Sequence, residues 1–202
     1  MDKHPWEIVY DKKQFSINTF NPSIIVKSNK NLFHSEYKIL DIGCGNGRNS
    51  IYIANLGCKV DAFDAADICW YEKLTPRLKE KINFTKTEIS NFKWKNNYYN
   101  GVIITRVIQY LNPDEVKLIF ANISGSLIDN GFLMISYAVK GQMQKHKEIK
   151  VPKFSHSIKF INDSLKKYFT KVSVFKGSSI SVHTNLKGNI KSYGIIAFKS
   201  GL

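Results

Sequence analysis

The chain predicts an α/β fold, in which helices cover both faces of a largely parallel sheet. Three observations predict it. Strand-like and helix-like segments alternate from residue 37 onward. Ile39–Ile42 and Gly101–Thr105 are runs of the kind that parallel strands, buried on both faces, require. Between Ile42 and Asn49 the string GCGNGR joins a strand end to a helix start. Ligands of such sheets sit beyond the carboxyl ends of the strands, and the glycine turn lies at the first of those ends.

The elements follow in order. Residues 1–36 read as an N-terminal helical cap, with a helix over IIVKSNKNLF capped by Asn21 or Ser23. A first strand spans residues 37–42, and a helix spans 49–56 with Gly57 as its stop. Residues 59–63 form a second strand ending at Asp64, residues 71–79 a helix, and residues 83–87 a third strand. The fourth strand is 101–105. Pro113-Asp114 opens a helix running to Ile128, Asn130-Gly131 stops it, and the fifth strand is 132–137. Asn162-Asp163 caps a helix to Phe169, and two closing strands cover 171–175 and 193–199. No repeat or Pro/Gly-rich linker interrupts the pattern, so residues 1–202 read as a single domain. The long irregular stretch 138–157 reads as a lid segment.

Composition narrows the function classes. No charged-apolar-small leader opens the chain, and no apolar run approaches the ~20 residues of a membrane span. Cys44, Cys58 and Cys69 are odd in number and lack C-x-x-C spacing. This argues for a reducing cytoplasm and against a disulfide scaffold or a metal site. The net charge of +14 raises the question of RNA. Yet of 30 basic residues only Arg48, Arg77 and Arg106 are arginine, and the lysines are spread along the chain. Readers of nucleic acid favour the guanidinium fork. With abundant Asn and Ile, the lysines read as compositional drift, with an RNA footprint as the alternative.

Which nucleotide does the glycine turn serve? The string G-x-x-x-x-G-K-[ST] is absent, which excludes a P-loop. A dinucleotide fingerprint starting at Gly43 and Gly45 would place Arg48 where helix and strand must pack closely. Asp41 would also set a carboxylate near a pyrophosphate. A carboxylate there suits a cationic ligand.

The pattern D-x-G-x-G-x-G over Asp41, Gly43, Gly45 and Gly47 resembles class I S-adenosylmethionine (SAM) methyltransferases. LDIGCGNGRNSIYIANLGCKVDAFD is similar to the tellurite-resistance (TehB-type) branch. FINDSLKKYF and ISVHTNLKGN resemble its last helix and its His-containing strand and turn. The resemblance implies a three-layer Rossmann-like sheet of seven strands, mostly parallel with an antiparallel last strand. It also implies SAM as cofactor and transfer of a methyl group by in-line displacement. Asp64 would accept hydrogen bonds from the ribose hydroxyls, and Glu88 would lie near the adenine amino group. Ala65 and Ile89, their neighbours, complete the cofactor set with Cys44, Arg48 and Thr105. Thr184 after His183, and Asn100 before the fourth strand, depart from the branch.

Cys44 reads as a small filler beside the ligand, and Arg48 as a ligand contact or structural ion pair. Thr105, Arg106 and Gln109 follow the fourth strand, where methyl acceptors lie. Arg106 is the candidate anchor for the acceptor, and His183 a candidate base or polar anchor; these two form the catalytic set. The expected activity is methyl transfer to a small molecule. An RNA-modifying methyltransferase and a SAM-binding regulator without transferase activity are the alternatives.

Overall fold

The computed structural model describes residues 5–7, 21–66, 69–138, 154–180 and 189–201, without side chains at 177–180 and 189–191. A short helix α1 (Ile24–Ser28) leads into β1 (Lys38–Ile42), α2 (Arg48–Asn55) and β2 (Lys59–Asp64). Then come α3 (Pro76–Lys79), β3 (Ile82–Lys86), β4 (Tyr99–Thr105) and α4 (Pro113–Ser126). β5 (Leu127–Ala138), α5 (Ile158–Leu165), β6 (Lys171–Ile180) and β7 (Asn189–Phe198) close the chain. The seven strands form one sheet in the order β3-β2-β1-β4-β5-β7-β6. β7 runs antiparallel to both of its neighbours, and the other pairings are parallel. The expected mixed seven-strand architecture is therefore present.

The order reverses between β1 and β4, which are neighbours although two strands lie between them in sequence. Such a switch point leaves a crevice at the carboxyl ends of both strands. Apolar runs set the layers. Leu40, Ile42, Val102 and Ile104 pack on the face that α4 and α5 cover, while Ile39 and Ile103 pack on the face carrying Val26, Ile53 and Leu74. Strand alternation sends successive side chains to opposite faces, so both faces of a central strand must be apolar.

Several local expectations are corrected. The N-terminal helix ends at Ser28 and continues as a 3-10 turn, Lys30–Leu32. Neither Asn21 nor Ser23 caps it through a side chain; the Ser23 N–H instead donates to Asn49 Oδ1 at 2.8 Å. The expected 71–79 helix is split into a 3-10 turn, Tyr71–Lys73, and α3, because Pro76 cannot donate to a preceding turn and begins a new helix. α4 stops at Ser126, and β5 begins at once at Leu127. Asn112 gives α4 a full capping box, accepting from Asp114 and Glu115 N–H while Glu115 Oε2 accepts from Asn112 N–H. α5 starts at Ile158 under a Ser157 cap, so Asn162 and Asp163 lie within the helix, where Asp163 pairs with Lys159 at 2.7 Å. Of the supposed lid, residues 139–153 lie outside the described residues. Its end is tied down: Phe154 N–H donates to Gln109 O at 2.8 Å, and the buried His156 ring lies 2.9 Å from Leu111 O.

Candidate active site

The carboxyl end of β1 delivers Asp41 into the sheet interior, fully buried. Ser50 on α2 donates its hydroxyl proton to Asp41 Oδ2 at 2.6 Å, whereas Oδ1 has no hydrogen-bond partner. Burial pushes the Asp41 pKa up to about 7 from 3.8, against the Ser50 hydrogen bond; the Asp64 charge adds to the rise and Arg48 opposes it. A buried carboxylate with one free oxygen is costly unless a donor or a cation completes it.

Beyond Ile42 the glycine loop turns through left-handed backbone, with φ of 63° at Gly43, 57° at Gly45 and 72° at Gly47. It closes onto β2. Cys44 N–H donates to Phe63 O at 3.0 Å, and Gly45 N–H donates to Asp64 Oδ2 at 2.8 Å. Asp64 Oδ1 accepts from Ala66 N–H at 2.9 Å, just past the half-buried Ala65. An ionised carboxylate only accepts hydrogen bonds, and these two backbone donors fix the orientation of Asp64 at the end of β2. The carboxylate thus organises the loop.

Packing also requires glycine at two of the three positions. A Cβ on Gly43 would come within 2.3 Å of Val107 Cγ2, and one on Gly47 within 2.3 Å of Trp70 Cε3. Trp70, itself buried, is the lid of the loop from the β2 side, braced edge-on by Phe84 at 5.5 Å.

Cys44 is buried, and its thiol is pushed far up by burial and by the Asp41 and Asp64 charges, as befits a filler. Gly47 caps α2, and Arg48 opens it, against the helix dipole. At the end of β4 the Thr105 hydroxyl is engaged by Asn49 Nδ2 at 3.0 Å, which makes it a strut of the site. Arg106 adopts φ 64°, and its N–H donates to Ser136 O at 2.7 Å. Burial, and then repulsion from Arg48, hold its guanidinium pKa below the ordinary value, while Tyr110 opposes the drop. The two arginines therefore share one region of the crevice. Gln109 is buried with Oε1 unpartnered. Glu88 lies two residues past β3, exposed, at the start of a 3-10 turn, with Ile89 half-buried against the core. His183 lies outside the described residues.

Asp41, Cys44, Gly45, Arg48, Asp64, Ala65, Thr105 and Arg106 are thus gathered at the carboxyl ends of β1, β2 and β4. Sequence reasoning missed Asn49 and Ser50, both buried. A signal existed: they share the core-facing side of α2 with Ile53 and Ala54, and polar residues on an apolar face need partners. Trp70 and Val107 carried no such signal.

Residues 9–186 match the family model of the tellurite resistance protein TehB. The chain belongs to the TehB family. One relative is the probable S-adenosyl-L-methionine-dependent methyltransferase TehB of Haemophilus influenzae, 28% identical over 137 residues, which are 67% of this chain and 46% of that protein. Another is the ribosomal protein L11 methyltransferase of Campylobacter concisus, 35% identical over 100 residues, 48% of this chain and 33% of that protein. The chain thus spans less than half the length of either relative. Among solved structures, the N-methyltransferase NodS of Bradyrhizobium japonicum, in complex with S-adenosyl-L-homocysteine, superposes with a TM-score of 0.70 at 13% identity, covering 98% of this chain and 100% of that one. The 1,6-didemethyltoxoflavin-N1-methyltransferase of Burkholderia thailandensis, with bound 1,6-didemethyltoxoflavin and S-adenosylhomocysteine, gives 0.67 at 17% identity, covering 99% and 80%. At these identities the structural likeness speaks for the fold. Among the described residues no helix is long and apolar enough to cross a membrane.

Proposed function

We propose that this TehB-family chain is a SAM-dependent methyltransferase acting on a small molecule. One observation carries the reading: two carboxylates, Asp41 and Asp64, flank the glycine loop, and Asp41 keeps a buried oxygen without a donor. A pyrophosphate would meet repulsion there. A cationic amino-acid end supplies what Asp41 lacks, and a carboxylate at the end of β2 suits the hydroxyls of a ribose. Family membership supports the same cofactor, as do the S-adenosylhomocysteine complexes of the two structural neighbours.

SAM, when bound, supplies an electrophilic methyl group on a sulfonium. The chain's own part is to bind, align and keep water out. Asp41, steadied by Ser50, holds the cationic end, and Asp64 holds the ribose; Glu88 and Ile89 flank the adenine end. Arg106 anchors the acceptor beside the end of β4, with His183 as a polar anchor or base. Alignment alone lowers such a barrier by up to ~7–11 kcal/mol when near-attack geometry is held. A small acceptor fits the Burkholderia neighbour, whose own ligand is a small molecule.

Calorimetry is the first test. S-adenosylhomocysteine should bind and NAD should not, and Asp64→Ala should weaken binding by ~1.5–3 kcal/mol, the worth of hydrogen bonds to a charged group. Unchanged affinity in that variant removes the ribose assignment. Methyl transfer at about 150 mM salt to thiols, amines, phenols and oxyanions of selenium and tellurium, set against total RNA, then tests the acceptor class. Salt-resistant labelling of one RNA species would refute the small-molecule reading.

A further inference from the structure

Two contacts of the N-terminal segment fall at opposite ends of the crevice. Glu7, with its side chain only 11% exposed, pairs with Lys86 at 2.8 Å, and Lys86 is the residue in register with Asp64 across β2 and β3. Trp6 meets the Tyr110 ring edge-on at 5.0 Å, and Tyr110 neighbours Arg106 electrostatically. Lys86 ends β3, while Tyr110 lies in the turn after β4. In the order β3-β2-β1-β4 these are separated by β2 and β1, a span of about 14 Å at ordinary strand spacing. A segment that touches both must pass over the carboxyl ends of β2 and β1. Those ends carry Asp64, Asp41 and the glycine loop.

We infer that Trp6 and Glu7 form a strap across the cofactor crevice, latched by the Glu7–Lys86 ion pair at the Asp64 end and by the Trp6–Tyr110 contact at the Arg106 end. The inference rests on the reading of this crevice as the SAM site. A closed strap blocks both entry and exit of the cofactor, so it sets the exchange rate. It also roofs the acceptor side, which leaves room for a small molecule and denies passage to a polymer chain. The ion pair suits a latch: the carboxylate is largely shielded, while the Lys86 side chain is 54% exposed and solvent can take it back on opening.

Binding and release of tritiated S-adenosylhomocysteine, measured on the full chain, test the strap in wild type, Glu7→Gln, Lys86→Gln and Trp6→Ala. Each variant should release the ligand about five- to tenfold faster. Each should also bind it faster, so that Kd moves much less than either rate. Release rates within about twofold of wild type, at wild-type affinity, overturn the strap and leave the cofactor site standing. Faster release with an unchanged on-rate also overturns it, because Trp6 and Glu7 would then be plain contacts of the ligand. Failure of the wild-type chain to bind S-adenosylhomocysteine overturns the cofactor reading, and the strap with it.

Discussion

Replacing Asp41 with Asn should stabilise the ligand-free protein above neutral pH while weakening its binding of S-adenosylhomocysteine. Burial raises the Asp41 pKa from 3.8 to about 7. A carboxyl with a raised folded pKa contributes stability below its unfolded value, and that stability is lost as pH climbs through the folded value. The loss approaches about 4 kcal/mol above pH 8, since each pKa unit is worth about 1.4 kcal/mol. Asn keeps the acceptor for Ser50 and carries no charge, so it escapes the loss, although its amide, left without an acceptor, costs ~1–3 kcal/mol. That amide cost is independent of pH. The difference between variant and wild type is therefore the cleaner quantity, and it should grow in favour of Asn by about 2–3 kcal/mol between pH 5 and pH 8. For a chain of this length the gap in Tm should widen by about 5–10 °C. Thermal unfolding at both pH values checks this. Calorimetry adds the functional half: in wild type a cationic ligand favours ionised Asp41, so affinity should rise through pH 7 with proton release, and Asn should abolish both effects. A stability difference that stays flat from pH 5 to 8 would refute the reasoning, because Asp41 would then ionise like an ordinary carboxylate.

Gly47→Ala should cost about 2–4 kcal/mol in urea unfolding, combining left-handed strain with overpacking against Trp70; Trp70→Ala in the same chain should return part of that, as a double-mutant cycle would show. Asn49→Ala leaves both the Thr105 hydroxyl and the Ser23 N–H without their partner, and should lower stability by about 2–3 kcal/mol, with faster amide exchange over residues 23–28. Asn112→Ala opens the capping box of α4 and should lower the urea midpoint by the equivalent of about 1 kcal/mol without affecting ligand affinity.

Much of the site was legible before folding. D-x-G-x-G-x-G after an apolar run, with a second acid ending the next strand, already implied a parallel sheet and a cationic ligand. Both implications depend on neighbours in sequence: alternation sets strand faces, and a short turn joins a strand to the helix that follows it. The α5 start was also local, yet Asn162-Asp163 outweighed Ser157 as a cap on residue type alone, and only the backbone decided between them. What tertiary structure alone decided comes from distant segments meeting. Val107 and Trp70 fill the spaces that Gly43 and Gly47 leave, so packing constrains those glycines too. Asn49 ties α1 to β4 across 26 and 56 residues, which makes Thr105 a strut of the site. The raised Asp41 pKa is not a property of an Asp in a motif. It comes from burial at the center of the sheet, beside a second carboxylate that arrives from another strand. The sequence by itself determined which residues stand at the first turn after β1; only the folded sheet decided how deeply each is buried and which distant groups it meets, because burial and long-range partners are made by packing and leave no periodicity to read.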